Sequence, residues 1–123
     1  MGRRPKTTAK KIIEFVLSKK AEDVMLFDLR KITSVTDFFV ICTGVSDVQV
    51  KAIADAVITG CKKKKIKIYH VEGMDSLTWV LVDFVDIVLH VFQPEVRKYY
   101  QLERLWGDAT IEKFSYEDEE AVK

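Results

Sequence analysis

The sequence predicts a small α/β domain, a mixed five-stranded sheet with flanking helices, and three observations carry that expectation. Two stretches repeat apolar residues at helical spacing, Ile12, Ile13, Val16 and Leu17 and then Val50, Ile53, Ala54, Val57 and Ile58. The run Asp37-Phe38-Phe39-Val40-Ile41-Cys42 is short and nearly unbroken in apolar residues, as expected of a central strand covered on both faces. Finally, Trp79 to Phe92 holds two Val-, Ile- and Leu-rich runs about a break at Asp83-Phe84-Val85-Asp86, the pattern of two antiparallel strands and a tight turn.

In chain order, residues 1–7 read as a disordered basic start broken by Pro5, and Thr7 or Thr8 can cap a helix running to about Lys19. Ala21 to Leu29 reads as a strand, followed by the apolar run to Cys42, which belongs mid-sheet. Thr43-Gly44-Val45-Ser46 turns the chain, and Ser46 or Asp47 can cap a long helix from about Val48 to Lys63. Lys62 to Lys65 closes that helix with positive charge, which its C-terminal dipole favours; the same four lysines also suit phosphate. Ile66 to Val71 supplies a further strand, and a loop around Gly73 leads into the hairpin. Pro94 opens a last helix crowded with Val96, Tyr99, Tyr100, Leu102, Leu105 and Trp106 until Gly107 ends it. Residues 110–123 read as an acidic, mobile tail. The order is helix, strand, strand, helix, three strands, helix.

With Phe84 and Val85 as a two-residue turn, Asp83 pairs with Asp86, Leu81 with Val88 and Trp79 with His90. Side chains alternate along a strand, so Val80, Val82, Ile87, Leu89 and Val91 fall on one face, which is pure core. Trp79, Leu81, Asp83, Asp86, Val88 and His90 fall on the other. That second face mixes an indole, aliphatics, an imidazole and two opposed carboxylates, an arrangement that costs stability when both acids are ionised and suits a cationic partner. The competing expectation is that the acids cap the turn in water while Trp79 folds under a helix. Val85 sits badly where a primed turn needs positive φ, so the register is open.

At 123 residues the chain is one domain, able to bury about two-thirds of its unfolded surface. A net charge of +1 places any electrostatic role in local patches, not in the whole molecule. Cys42 and Cys61 lie in apolar contexts outside any C-x-x-C pair and read as reduced core thiols of a cytosolic protein. No apolar secretory segment opens the chain, and Asp83 and Asp86 would each cost about 2.5 to 3.5 kcal/mol within a membrane-spanning helix.

Thr43-Gly44-x-Ser46-Asp47 before a helix, with acids on later strands, invites comparison with a minimal nucleotidyltransferase. Such enzymes need two acids two positions apart on one strand face to hold a metal, whereas Asp83 and Asp86 stand three apart across a turn. His70 with Glu72 and Asp86 with His90 lack further ligands for zinc. Glycine-rich phosphate loops and hydrolase signatures are absent from the sequence. No cofactor is implied, and a binding module is favoured, with an enzyme or a free RNA-binding domain as the alternatives.

Three blocks then carry a resemblance: Asp37-Phe38-Phe39-Val40-Ile41-Cys42-Thr43-Gly44-Val45-Ser46-Asp47 through Ala54; Trp79-Val80-Leu81-Val82-Asp83 with Asp86-Ile87-Val88-Leu89-His90-Val91-Phe92; and Pro94-Glu95-Val96-Arg97 through Leu105-Trp106-Gly107-Asp108-Ala109. Over residues 8–109 the chain closely resembles the ribosomal silencing factor family, RsfS or Iojap. The resemblance implies a nucleotidyltransferase-like fold without transferase activity. It also implies a translational repressor of the bacterial cytoplasm that binds large-subunit ribosomal protein fourteen and blocks joining of the subunits when nutrients are scarce. Its contact residues would be Trp79, Leu81, Asp83, Asp86, Val88 and His90, with Glu95, Tyr99 and Tyr100 beside them and minor ribosomal RNA contacts from the basic segments. Val85 departs from the glycine common in the family. The sequence leaves a homodimer open, since an apolar sheet face or edge can self-pair.

Overall fold

The structure, a computed structural model, describes residues 5–100, with Tyr99 and Tyr100 in backbone only, and 108–116. The expectations for Arg3 and Arg4, for Leu102, Leu105, Trp106 and Gly107, and for the acids Glu117 to Glu120 lie outside the described residues.

Helix α1 spans Pro5–Leu17, strand β1 Glu22–Asp28, β2 Phe38–Thr43, α2 Asp47–Lys63, β3 His70–Glu72, β4 Trp79–Asp83, β5 Ile87–Phe92, α3 Pro94–Tyr100 and β6 Thr110–Phe114. The six strands form one mixed sheet in the order β3-β4-β5-β2-β1-β6. Among the described residues its only parallel pair is the central one, β2 with β5; the other pairs are antiparallel. As the apolar run predicts, β2 lies mid-sheet and is almost wholly buried.

Three expectations about the elements need correction, one being that strand β3 covers only His70–Glu72 where Ile66 to Val71 was expected. The first helix starts at Pro5, before the threonines expected to cap it; proline is tolerated there because its missing N–H would be unpaired at a helix start in any case. The sheet has a sixth strand, taken from the segment expected to be a mobile tail. β6 pairs residue for residue with β1 from Val24↔Phe114 to Asp28↔Thr110. Its sequence, TIEKF, shows little hydrophobic pattern because an outermost strand is held chiefly by main-chain bonds, with Phe114 its contribution to the core.

Helices α1 and α2 cover one sheet face. Ile12, Ile13, Val16, Val50, Ile53 and Val57 pack there against Val40, Val80, Val82, Leu89 and Val91, the aliphatic set that strand alternation assigned to the core. α2 is started by a reciprocal pair: Gln49 N–H donates to Ser46 Oγ at 3.1 Å, and Val45 N–H donates to Gln49 Oε1 at 2.7 Å. A second, smaller cluster of Phe27, Leu29, Ile41 and Phe92 lies on the opposite face, joined by Phe39, Trp79 and, from α3, Val96. Arg97 pins α3 to the sheet, donating to the Asp23 carbonyl and to Thr43 Oγ1, both at 2.8 Å.

The hairpin register also differs from expectation. Asp83 faces Val88, Leu81 faces His90 and Trp79 faces Phe92, a shift of two residues along β5. Phe84 is not at the tip of the turn but has its side chain in the core, and its N–H donates to the Ile87 carbonyl at 2.8 Å. The reversal is a γ-turn about Val85, with Asp86 N–H donating to the Phe84 carbonyl at 3.0 Å and Val85 at φ 75. Asp83 Oδ1 accepts from Val85 N–H at 2.7 Å and helps hold it there. A half-exposed β-branched residue in this conformation is strained and loses little packing when removed. Val85→Gly should therefore raise the unfolding free energy by about 1 kcal/mol, read from urea denaturation; an unchanged or lower value would contradict the strain.

Candidate protein-binding face

A shift of two residues preserves the parity of alternation, so Trp79, Leu81, Asp83, Val88 and His90 still share the face opposite α1 and α2. Asp86 leaves them. It is exposed in the turn and shares a small cleft with Pro5, Thr8, Phe84 and Ile87 on the helix side. The opposed carboxylates expected from the sequence therefore do not exist: Asp83 faces Val88 on one side and His70 of β3 on the other. Glu95 is exposed in the first turn of α3, and the side chains of Tyr99 and Tyr100 lie outside the described residues.

The face is not uniformly wet. His90 is only 4% exposed, enclosed on a central strand by the rings of Phe39, Trp79 and Phe92, with Phe39 edge-on at 4.8 Å. Trp79 is half-buried, its ring 4.9 Å from that of Phe92, and its indole N–H donates to His90 Nδ1 at 3.1 Å. The two alternatives left open for the indole thus merge, since it borders the face while packing into the second cluster. Accepting that bond makes the neutral imidazole carry its proton on Nε2.

Beside this aromatic group lies a recess of about 440 Å³ lined by Thr33, Val35, Thr36, Phe39, Leu81, Asp83, Val85, Val88 and His90. Its rim is apolar and open to solvent, with Val35 83% and Val85 50% exposed. Hydrophobic side chains left in water around a concavity that includes a carboxylate make a surface fitted to a protein carrying apolar and cationic groups. Thr33, Val35 and Thr36 escaped the sequence reading. They lie in the irregular segment between β1 and β2, where no periodicity assigns a face; two apolar residues, Ile32 and Val35, in a polar loop were the one available signal.

Among the described residues, no helix is long and apolar enough to cross a membrane, and no three His, Cys, Asp or Glu side chains gather as a metal site. Cys42 and Cys61 are buried, and burial pushes the Cys42 thiol up to about 12.

Burial also lowers the His90 pKa to about 4 from an ordinary 6.5. The folded state thus resists a proton that the unfolded chain accepts. Stability should fall as pH drops through the window from 6.5 to about 4, with His90 contributing on the order of 3 kcal/mol by its lower end. In a pH series of NMR spectra the His90 ring resonances should keep their neutral positions down to about pH 5; a midpoint near the ordinary value would contradict its burial.

Comparison with known proteins agrees with this architecture. Residues 3–123 match the family model described as ribosomal silencing factor during starvation. The chain is 46% identical over 93 residues to ribosomal silencing factor RsfS of Bacillus subtilis, covering 76% of this chain and 79% of that one. It is 34% identical over 91 residues to the chloroplastic protein Iojap of Zea mays, covering 74% of this chain and 40% of that longer one. A crystal structure of a Chromobacterium violaceum protein superposes with a TM-score of 0.83 at 39% identity, over 85% of this chain and 88% of that one. A sheet of this topology, with a match running through nearly its whole length, establishes the chain as a member of the RsfS family of ribosomal silencing factors.

Proposed function

We propose that the protein represses translation by binding the large ribosomal subunit through large-subunit ribosomal protein fourteen, so that the small subunit cannot join. Nutrient shortage is the condition for this activity, in keeping with the family's description. The observation that carries the reading is the apolar recess on the sheet face opposite α1 and α2, lined by Asp83 and by His90, to which Trp79 is bonded. Leu81, Val88, Val85 and Val35 supply area to desolvate, Trp79 is the anchor, and Asp83 with Glu95 at the margin selects lysine or arginine. Asp86, turned toward the start of α1, reaches a partner only from the edge of the contact. The family resemblance adds Tyr99 and Tyr100, whose backbone belongs to α3.

The mechanism is steric. It uses no reacting group and no cofactor, and it needs only that the protein stay seated where the subunits would meet. His90 holds the indole in place through its Nδ1 and lines the recess beside it. Lys62 to Lys65, exposed at the end of α2, are placed to add salt-sensitive contacts to ribosomal RNA. The bacterial relatives favour the bacterial cytoplasm as the compartment.

The sharpest test compares two truncations. Leu81→Ala should weaken binding to purified large subunits roughly tenfold, and Trp79→Ala by about 2 kcal/mol or more, roughly thirtyfold. Because Trp79 packs on Phe92 and bonds His90, its truncation should also lower stability, whereas Leu81→Ala should cost the fold less. Cosedimentation of both variants with large subunits at the wild-type level would overturn the assignment.

A further inference from the structure

Two buried polar atoms have no hydrogen-bond partner among the described residues, Thr36 Oγ1 and His90 Nε2, and both residues line the same recess. Each residue is more than nine-tenths buried, Thr36 at 5% and His90 at 4% exposure. Buried polar groups are almost always paired, because an unpaired one forfeits the hydrogen bond it made to water in the unfolded chain. Two such atoms in one recess mark a place where something else completes the bonding.

The chemistry of that occupant is restricted. His90 Nδ1 is occupied by the Trp79 N–H, so Nε2 presents a donor and needs an acceptor; the Phe39 ring, edge-on at 4.8 Å, is at best a weak one. A lysine or arginine head has no acceptor to offer. A carboxylate has acceptors but would sit beside Asp83, of like charge. A threonine hydroxyl donates and accepts. What fits both atoms is a neutral group with an oxygen acceptor, on a body small and apolar enough to lie against Phe39, Leu81 and Val88.

We propose that this recess is the specificity pocket of the ribosome contact, taking one neutral side chain of the partner, a hydroxyl or carboxamide, whose oxygen accepts from His90 and whose head also bonds Thr36. The proposal rests on the reading that this face meets the large subunit, and it adds that recognition is not by charge alone. In the unbound protein both atoms are closed off from solvent. Thr36 lies in an irregular stretch whose neighbour Val35 is held by one exposed bond, Val35 N–H donating to Thr33 Oγ1 at 3.1 Å. On binding, the Thr36 hydroxyl turns toward the recess and the irregular segment that carries it adjusts around the incoming group. Asp83 on the wall keeps anionic groups out, and the aliphatic residues reward a head that brings apolar area with it.

Thr36→Val removes the hydroxyl and keeps the shape, which separates a binding role from a structural one. The variant should fold with an unchanged or higher melting temperature, since an unpaired buried hydroxyl is lost, yet bind purified large subunits roughly three- to tenfold more weakly. Thr36→Ser, which restores a hydroxyl, should recover most of that loss. Wild-type affinity in Thr36→Val, with Trp79→Ala still weakened, would overturn the pocket and leave the contact face standing. Wild-type affinity in both would overturn the contact face together with the pocket. A loss of affinity in Thr36→Val that follows a loss of stability and is not recovered by serine would also overturn the pocket, because the hydroxyl would then be serving the fold.

Discussion

The parity of β4 and β5 is the constraint on which the rest of the molecule depends. Alternation along these two strands sends Val80, Val82, Leu89 and Val91 under α1 and α2, and that burial holds the two helices to the sheet. The same alternation leaves Leu81, Asp83 and Val88 no choice but the opposite face. A slip of one residue would drive Asp83 into the aliphatic core, at the cost of an unpaired buried charge, so the core itself enforces the orientation of the functional face. The real hairpin is shifted by two residues from the simplest pairing, and the face survives because two is the period of a strand.

The sheet face opposite α1 and α2 carries a closed cluster and, beside it, an open recess. Phe27, Leu29, Ile41 and Phe92 form a closed cluster roofed by α3, which Arg97 anchors through the Asp23 carbonyl and Thr43. Next to it, the aromatic group of Trp79, His90 and Phe39 forms the transition, one margin in the cluster and the other at the recess. An imidazole kept neutral by burial is costly on a central strand. Its return here is a fixed tautomer and a fixed indole, rigidity that lowers the entropy lost on binding.

Much of the fold was legible because its signals are strong ones. The apolar spacing in α1 and α2, the unbroken run of β2 and the capping residue Ser46 each announce an element through a single physical mechanism. β6 was not legible, because TIEKF is held by main-chain bonds to β1 and main-chain bonds leave no mark on side-chain pattern. The register was misread at Phe84, a large apolar residue placed at the tip of the turn, although its side chain is buried and the tip is Val85. On the candidate face, the shared side of Trp79, Leu81, Asp83 and Val88 was legible from alternation. Asp86 was misplaced by the register, and Thr36 and Val35 were missed because an irregular segment has no period to read.

The central claim is that one side of this sheet seats on the large ribosomal subunit, and oxidative footprinting tests it most directly. Hydroxyl radicals label exposed side chains in the free protein and in its complex with purified large subunits, and mass spectrometry locates the difference. Seating through this face protects Trp79, Leu81, Val85 and Val35 in the complex and leaves Val48 and Tyr69 labelled as in the free protein. Protection confined to Val48, Tyr69 and the outer surfaces of α1 and α2, with Trp79 and Leu81 unchanged, would contradict it.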